Sequence, residues 1–138
     1  MKSLSRAAAN VHASTTMAID SKAKQMKADG LDVIGFGAGE PDFHTPDNIK
    51  LAGIKAIIDN NTKYTPAAGI VPLRKAIAER LRLDCGIDYD YTQIVVASGA
   101  KHSVFLALAA LIDFGDEVII PAPFWLSYGE IVPMLGGV

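Results

Sequence analysis

The chain has 138 residues, half of them hydrophobic and a fifth charged, with a formal net charge of −2 and a single cysteine, Cys85. That is the composition of roughly one globular domain, long enough to bury about two-thirds of its unfolded surface. It excludes a general nucleic-acid binder, which needs clustered Lys and Arg, and also an internal disulfide and a Cys/His zinc cluster. No apolar run approaches the roughly 18 residues of a helical membrane span.

In chain order, Met1 to Ile19 holds Lys2 and Arg6, several Ser and Thr, and no acid. This faintly resembles a mitochondrial presequence. With only two basic residues and no secretory apolar segment, it reads better as a polar N-terminal arm of a cytoplasmic protein. Met17 to Ala28, rich in Ala, Met and Lys, predicts a helix ended by Gly30. Leu31 to Phe36 is a short apolar run that predicts a strand, followed by the glycine-dense turn Gly35 to Asp42. Thr45-Pro46 predicts a helix start, with Thr45 as N-cap and Pro46 at the first helical position. Leu51, Ile54 and Ile58 form the stripe of that helix, and Asn60-Asn61 ends it. Asn60-Asn61-Thr62 fits a glycosylation sequon that a cytoplasmic chain would not use.

The loop Lys63 to Gly69 leads to a helix opened by Pro72 and stopped by Gly86. Its apolar stripe is Leu73, Ala76, Ile77 and Leu81; Arg74, Lys75, Glu79, Arg80 and Arg82 form a solvated face. Ile94 to Ala97 is a β-branched run suited to a buried strand. Ser98-Gly99-Ala100 breaks it, and Lys101 to Ile112 predicts a helix apolar nearly all round, hence buried. Val118 to Ile120 predicts a second strand, which makes a parallel β-α-β unit. Pro121-Ala122-Pro123 ends it, a helix follows from Leu126 to Leu135, and Val138 opens a third strand after Gly136-Gly137. Two parallel strands with both faces apolar are too few for a stable open sheet, so the chain is expected to be the N-terminal piece of a longer protein.

Several segments carry possible chemistry. Ser98-Gly99-Ala100-Lys101 lies between a strand and a helix N-terminus, where outward N–H groups, the helix dipole and the Lys101 charge suit a phosphate. An ordinary turn with Ser98 as N-cap fits the same residues. The S-x-x-K spacing there lacks the S-D-N and K-T-G partners of β-lactamases, and no Gly-Lys pair exists for a P-loop. Gly35, Gly37 and Gly39 miss the dinucleotide fingerprint because Glu40 and Pro41 follow. They mark either a close approach to the backbone or a turn needing positive φ. Trp125, just past the second strand, is placed either to stack on a flat heteroaromatic ring or to pack. Tyr64 reads alone as a half-buried packing residue, and Cys85 as a small core residue near a helix end. His12, His44 and His102 show no metal-ligand spacing and are structural or surface residues.

Together these stretches resemble the N-terminal part of a class I, fold-type I aminotransferase dependent on pyridoxal phosphate, nearest its bacterial aspartate aminotransferase branch. The resemblance is carried by Gly37-Ala38-Gly39-Glu40-Pro41-Asp42-Phe43 with Thr45-Pro46, and by Lys63 to Ile70 leading to Leu73-Arg74. Ser98 to Lys101, and Gly115 to Trp125 with Ser127-Tyr128, complete it. It implies an α/β fold in which residues 1–14 are an arm, 15–45 the start of a small domain, and 46–138 the first βαβ portion of a large α/β/α cofactor-binding domain. It also implies roles. Gly99, Ala100 and Lys101 hold the cofactor phosphate, and Trp125 stacks on the ring. Tyr64 reaches the phosphate of the neighbouring subunit in a homodimer, and Gly39 meets the substrate carboxylate beside Trp125. The substrates implied are an amino acid, aspartate or glutamate foremost, and a 2-oxo acid, with no nucleic acid, membrane or metal. Lys101 could also face an acidic substrate side chain, although a plain phosphate contact or a surface lysine fits equally.

The family's cofactor-bearing lysine, the Asp on the pyridinium nitrogen, the Asn and Tyr on the ring hydroxyl, and the carboxylate-clamping Arg would all fall after Val138. Lys101 is not that lysine, so no catalytic residue is assigned in this chain, which alone is expected to be inactive. The alternatives are another enzyme of the same fold, such as a lyase or synthase, and a non-catalytic regulator domain or half-chain that acts by assembly.

Overall fold

The computed structural model describes residues 3–9 and 11–138. Lys2, one of the two basic residues behind the presequence reading, lies outside them. The chain divides into two compact units, Met1–His44 with Leu108–Val138, and Thr45–Ala107.

In the first unit, α1 (Arg6–Ala9) packs against α6 (Leu126–Met134). The segment after α1 is tied down by Glu130: the His12 N–H donates to Oε2 at 3.1 Å, and His12 Nδ1 lies 3.3 Å from Oε1. Helix α2 (Thr15–Ala28) begins before the expected Met17 because the Ser14 hydroxyl accepts the Met17 N–H at 3.3 Å and caps it. Gly30, at φ +85°, ends it as expected. The core of this unit is Ile131 and Val132 on α6. Gly137 lets Val132 and Ile112 approach, since a Cβ there would lie 2.9 Å from Val132 Cγ1 and 3.2 Å from Ile112 Cγ2.

In the second unit, α3 (Asp47–Ile58) starts one residue later than the sequence predicts. Pro46, not Thr45, is the cap residue, and its carbonyl accepts the Ile49 and Lys50 N–H groups at 3.0 and 3.1 Å. Asn60, at φ +60°, follows its end. Helix α4 (Val71–Cys85) has Pro72 in its opening and stops at Gly86, left-handed at φ +67°. Its stripe of Leu73, Ala76, Ile77 and Leu81 lines an open groove that includes Cys85. Cys85 is therefore exposed, not a core residue, because no layer covers the end of α4. The opposite face is only partly a solvated one. Arg80 pairs with Asp84 at 2.6 Å and Arg82 with Glu79 at 2.7 Å, but Arg74 and Lys75 both lie 5.3 Å from the centre of the Tyr91 ring. Tyr91–Gln93 is a short 3-10 turn capped by Asp90, whose carboxyl is held below the usual aspartate range by the Thr92 hydroxyl and amide.

The described residues form no strand, which corrects the strand expectations. Leu31 to Phe36, Ile94 to Ala97 and Val118 to Ile120 are apolar runs without a ladder. A run becomes a strand only when a neighbour several residues long receives its N–H and C=O groups. Val96 donates its N–H to Ala68 O at 3.0 Å, whereas Val118 donates to Val138 O and Val138 to Asp116 O, both at 2.8 Å. The last two are the paired bonds with which a parallel ladder begins. Val96 and Val118 thus take their backbone partners inside their own units, and neither run is a strand of the expected β-α-β unit. For the same reason α5 (Ala100–Leu111) is not buried despite its apolar surface: Leu111 is 80% exposed. A helix apolar all round needs a layer on each side, which the described residues do not supply.

Gly69 is required on two grounds. It sits at φ +96°, and a Cβ would fall 2.8 Å from Val96 Cγ2. Gly69→Ala is expected to lower stability by roughly 1–3 kcal/mol, read as a lower urea midpoint at unchanged slope. Gly86→Ala, where nothing lies within 4 Å of the added carbon, is expected to lose less. Equal midpoints for wild type and Gly69→Ala would contradict this packing.

Candidate functional site

The turn Ser98–Lys101 is delivered by a segment held from outside. Arg74 Nε donates to Ile94 O at 2.9 Å, and Ala68 O accepts the Val96 N–H. The Gly99 N–H then bonds back to Ala97 O at 2.9 Å, with φ at +81°, a conformation that favours glycine. Gly99 O accepts the Ser103 N–H at 3.2 Å and Ser103 Oγ–H at 3.4 Å, so Gly99 is the residue that caps α5. This corrects the N-cap reading of Ser98, which lies one residue too early. The Ser98 N–H is taken instead by His102 Nδ1 at 3.2 Å.

The donor set fits a phosphate. Amide N–H groups opening a helix have no carbonyl of a preceding turn to bind, and the dipole there favours an anion. The first turn of α5 contains no acidic residue, and Lys101 stands within it. A Cβ at Gly99 would meet nothing within 4 Å, so the space beside its Cα is open. Tyr64, in the same unit, is fully exposed beside Thr62 and Lys63 around a surface hollow of about 450 Å³. It is not the half-buried packing residue that its loop alone suggests, because the loop is covered by no other layer.

Gly39 and Trp125 belong to the other unit. There the glycine-dense turn is a close approach and not a positive-φ turn. A Cβ on Gly37 would lie 3.0 Å from Ile19 Cγ2 and 3.4 Å from Asp20 N, and one on Gly35 would lie 3.6 Å from Ala23 Cβ. Gly35, Gly37 and Gly39 all lie outside the left-handed region. Gly39 itself has open space where a Cβ would be. Asp20 bonds Lys24 at 2.7 Å and, with a smaller contribution from Glu40, holds its ammonium above the usual lysine range. Trp125 caps α6 and meets Tyr128 edge-on, ring centres 5.5 Å apart, while staying 44% exposed. Its indole is thus braced on one side and accessible on another.

Sequence reasoning missed Arg74 as the anchor of the segment and His102 as the acceptor at the turn. The capping-box spacing would not have found the second, because His102 takes the N–H of Ser98, four residues back, and not that of the cap residue Gly99. The described residues contain no cluster of metal-ligating side chains. No helix among them is long and apolar enough to cross a membrane.

The family model for aminotransferase class I and II matches residues 31–138. A probable aspartate/prephenate aminotransferase of Rhizobium leguminosarum bv. phaseoli is 52% identical over 137 residues, covering 99% of this chain and 34% of that protein. The aspartate aminotransferase of Geobacillus stearothermophilus is 48% identical over 135 residues, covering 98% of this chain and 34% of that one. The solved aspartate aminotransferase from Thermus thermophilus with maleate superposes with a TM-score of 0.94 at 40% identity, over 100% of this chain and 36% of its own. The chain thus spans about a third of the length of the relatives it matches.

The two glycines of the turn should separate packing from function. Gly37→Ala presses on Ile19 and is expected to lose about 1 kcal/mol of stability. Gly39→Ala should stay within about 0.5 kcal/mol of wild type. Urea unfolding of both variants checks this, and a larger loss at Gly39 than at Gly37 would overturn it.

Proposed function

Because this chain belongs to the aminotransferase class I and II family, we propose that it is the amino-terminal third of a pyridoxal phosphate-dependent aminotransferase. The reaction is transfer of an amino group between an amino acid, aspartate or glutamate foremost, and a 2-oxo acid. The observation that carries this is the opening of α5: Gly99 left-handed at φ +81°, open beside its Cα, with no acid in the first turn and Lys101 in it. The name of the Rhizobium relative, which pairs aspartate with prephenate, supports an acidic amino donor and a 2-oxo acid acceptor.

Gly99 shapes the cradle, while Ala100 and Lys101 bring donors to the phosphate. The half-exposed indole of Trp125 lies against the cofactor ring. Tyr64, fully exposed, offers its hydroxyl to the phosphate of the neighbouring subunit in a homodimer. Gly39, open at its Cα, lets the substrate carboxylate approach the backbone beside Trp125. In this reading residues 1–14 are the arm, 15–45 open the small domain and 46–138 begin the large one, in a cytoplasmic enzyme. Pyridoxal phosphate, when bound, supplies the electron sink for amino transfer. The residues of this chain bind and orient; the proton-moving lysine is not among those assigned here.

Titration of the full-length protein with pyridoxal phosphate, followed by absorbance, is expected to saturate at one cofactor per chain. In the same protein Lys101→Ala should raise KM for aspartate about ten- to hundredfold, and far less for an uncharged amino acid, since a lost charge-assisted hydrogen bond is worth roughly 1.5–3 kcal/mol. Absence of saturable binding would refute the cofactor assignment. Equal KM effects on the two substrates would refute the selectivity of Lys101.

A further inference from the structure

We propose that His102 is a positioning residue that fixes the anion-binding turn by giving the Ser98 N–H a neutral acceptor. This rests on reading Ser98–Lys101 as a phosphate cradle. Helix α5 opens at Ala100, so His102 is its third residue. A capping box puts Glu or Gln there to reach back to the amide of the cap residue. Here the imidazole reaches one residue further: Nδ1 lies 3.2 Å from the Ser98 nitrogen and accepts its N–H. Gly99, the cap residue, has no side chain to assist. A ring nitrogen that accepts an N–H carries no proton, so this imidazole is neutral with its proton on Nε2.

A glutamate at 102 would satisfy the same N–H with a stronger, charge-assisted bond and would suit the helix dipole. It would also set a negative charge within one turn of a bound phosphate. The imidazole fixes the Ser98 peptide without that charge. Elsewhere the chain does cap with an acid: Asp90 accepts the Thr92 N–H at 2.8 Å, and Gln93 Oε1 accepts the Asp90 N–H at 2.9 Å. The residue at the third position of that turn is Gln93, a neutral acceptor like His102. At α5 the neutral acceptor keeps the first turn free of acid, which suits an anionic ligand.

The test compares His102→Gln, His102→Glu and His102→Ala in the full-length protein, by thermal midpoint without cofactor and by dissociation constants for pyridoxal phosphate and for phosphate-free pyridoxal. His102→Gln should match wild type in all three. His102→Ala should lower the midpoint and weaken pyridoxal phosphate about three- to tenfold, the size of a lost cap. His102→Glu should keep the midpoint yet weaken pyridoxal phosphate about tenfold or more, leaving pyridoxal unchanged. In a ¹⁵N-histidine spectrum the resonance missing from His102→Gln should be the Nε2–H tautomer. The inference is overturned if His102→Glu binds pyridoxal phosphate as tightly as wild type, if His102→Gln behaves like His102→Ala, or if the proton sits on Nδ1. A wild-type protein that binds no pyridoxal phosphate, with the Nε2–H tautomer intact, would instead remove the cradle reading and keep only the cap.

Discussion

Among the described residues Ile94–Ala97 has no strand neighbour along its length, and two bonds from outside the run hold its course. Arg74 reaches Ile94 O, and the Val96 N–H reaches Ala68 O. Each such bond is worth only about 1 kcal/mol net, but together they aim the chain at Gly99. Gly69 makes the second bond possible by leaving room for Val96. From Gly99 onward the left-handed turn, the start of α5 and the open space beside the Gly99 Cα follow. The anchor Arg74 is itself steadied over Tyr91, which sits in the turn that Asp90 caps. The opening of α5 is thus built from loop and helix ends, each held by short-range contacts.

Helix punctuation was legible in the sequence because it is local. Gly30 and Gly86 end their helices in the left-handed region, where a residue without Cβ is favoured. Caps were legible to within a residue: Thr45 and Ser98 carry cap chemistry, yet the helices turn at Pro46 and Gly99, whose backbones fix the last non-helical position. Strands were not legible, because an apolar run states only a preference for burial. Val118 pairs with Val138 and Val96 with Ala68, choices made by distant chain that no window of sequence contains. Burial failed likewise for α5, Cys85 and Tyr64. Each has the composition of a covered residue or face but lacks the layer that would cover it.

Of the candidate site, the sequence states only that Ser98 to Lys101 suits an anion or an ordinary turn before a helix. What stayed hidden was the support: Arg74 looks like one more charge on a solvated face, and His102 like an isolated histidine. The glycine-dense turn shows the same limit. Its glycines signal close approach, but only the fold shows that α2 is what approaches, through Ile19 and Asp20, and that Gly39 is left open.

The central claim is that a pyridoxal phosphate is held by the opening of α5. A crystal structure of the full-length protein with that cofactor tests it most directly. Phosphate oxygens within hydrogen-bond distance of the Ala100 and Lys101 amides, with the Trp125 indole against the ring, are the expected result. A phosphate bound elsewhere, or an opening of α5 filled by side chains, would contradict it.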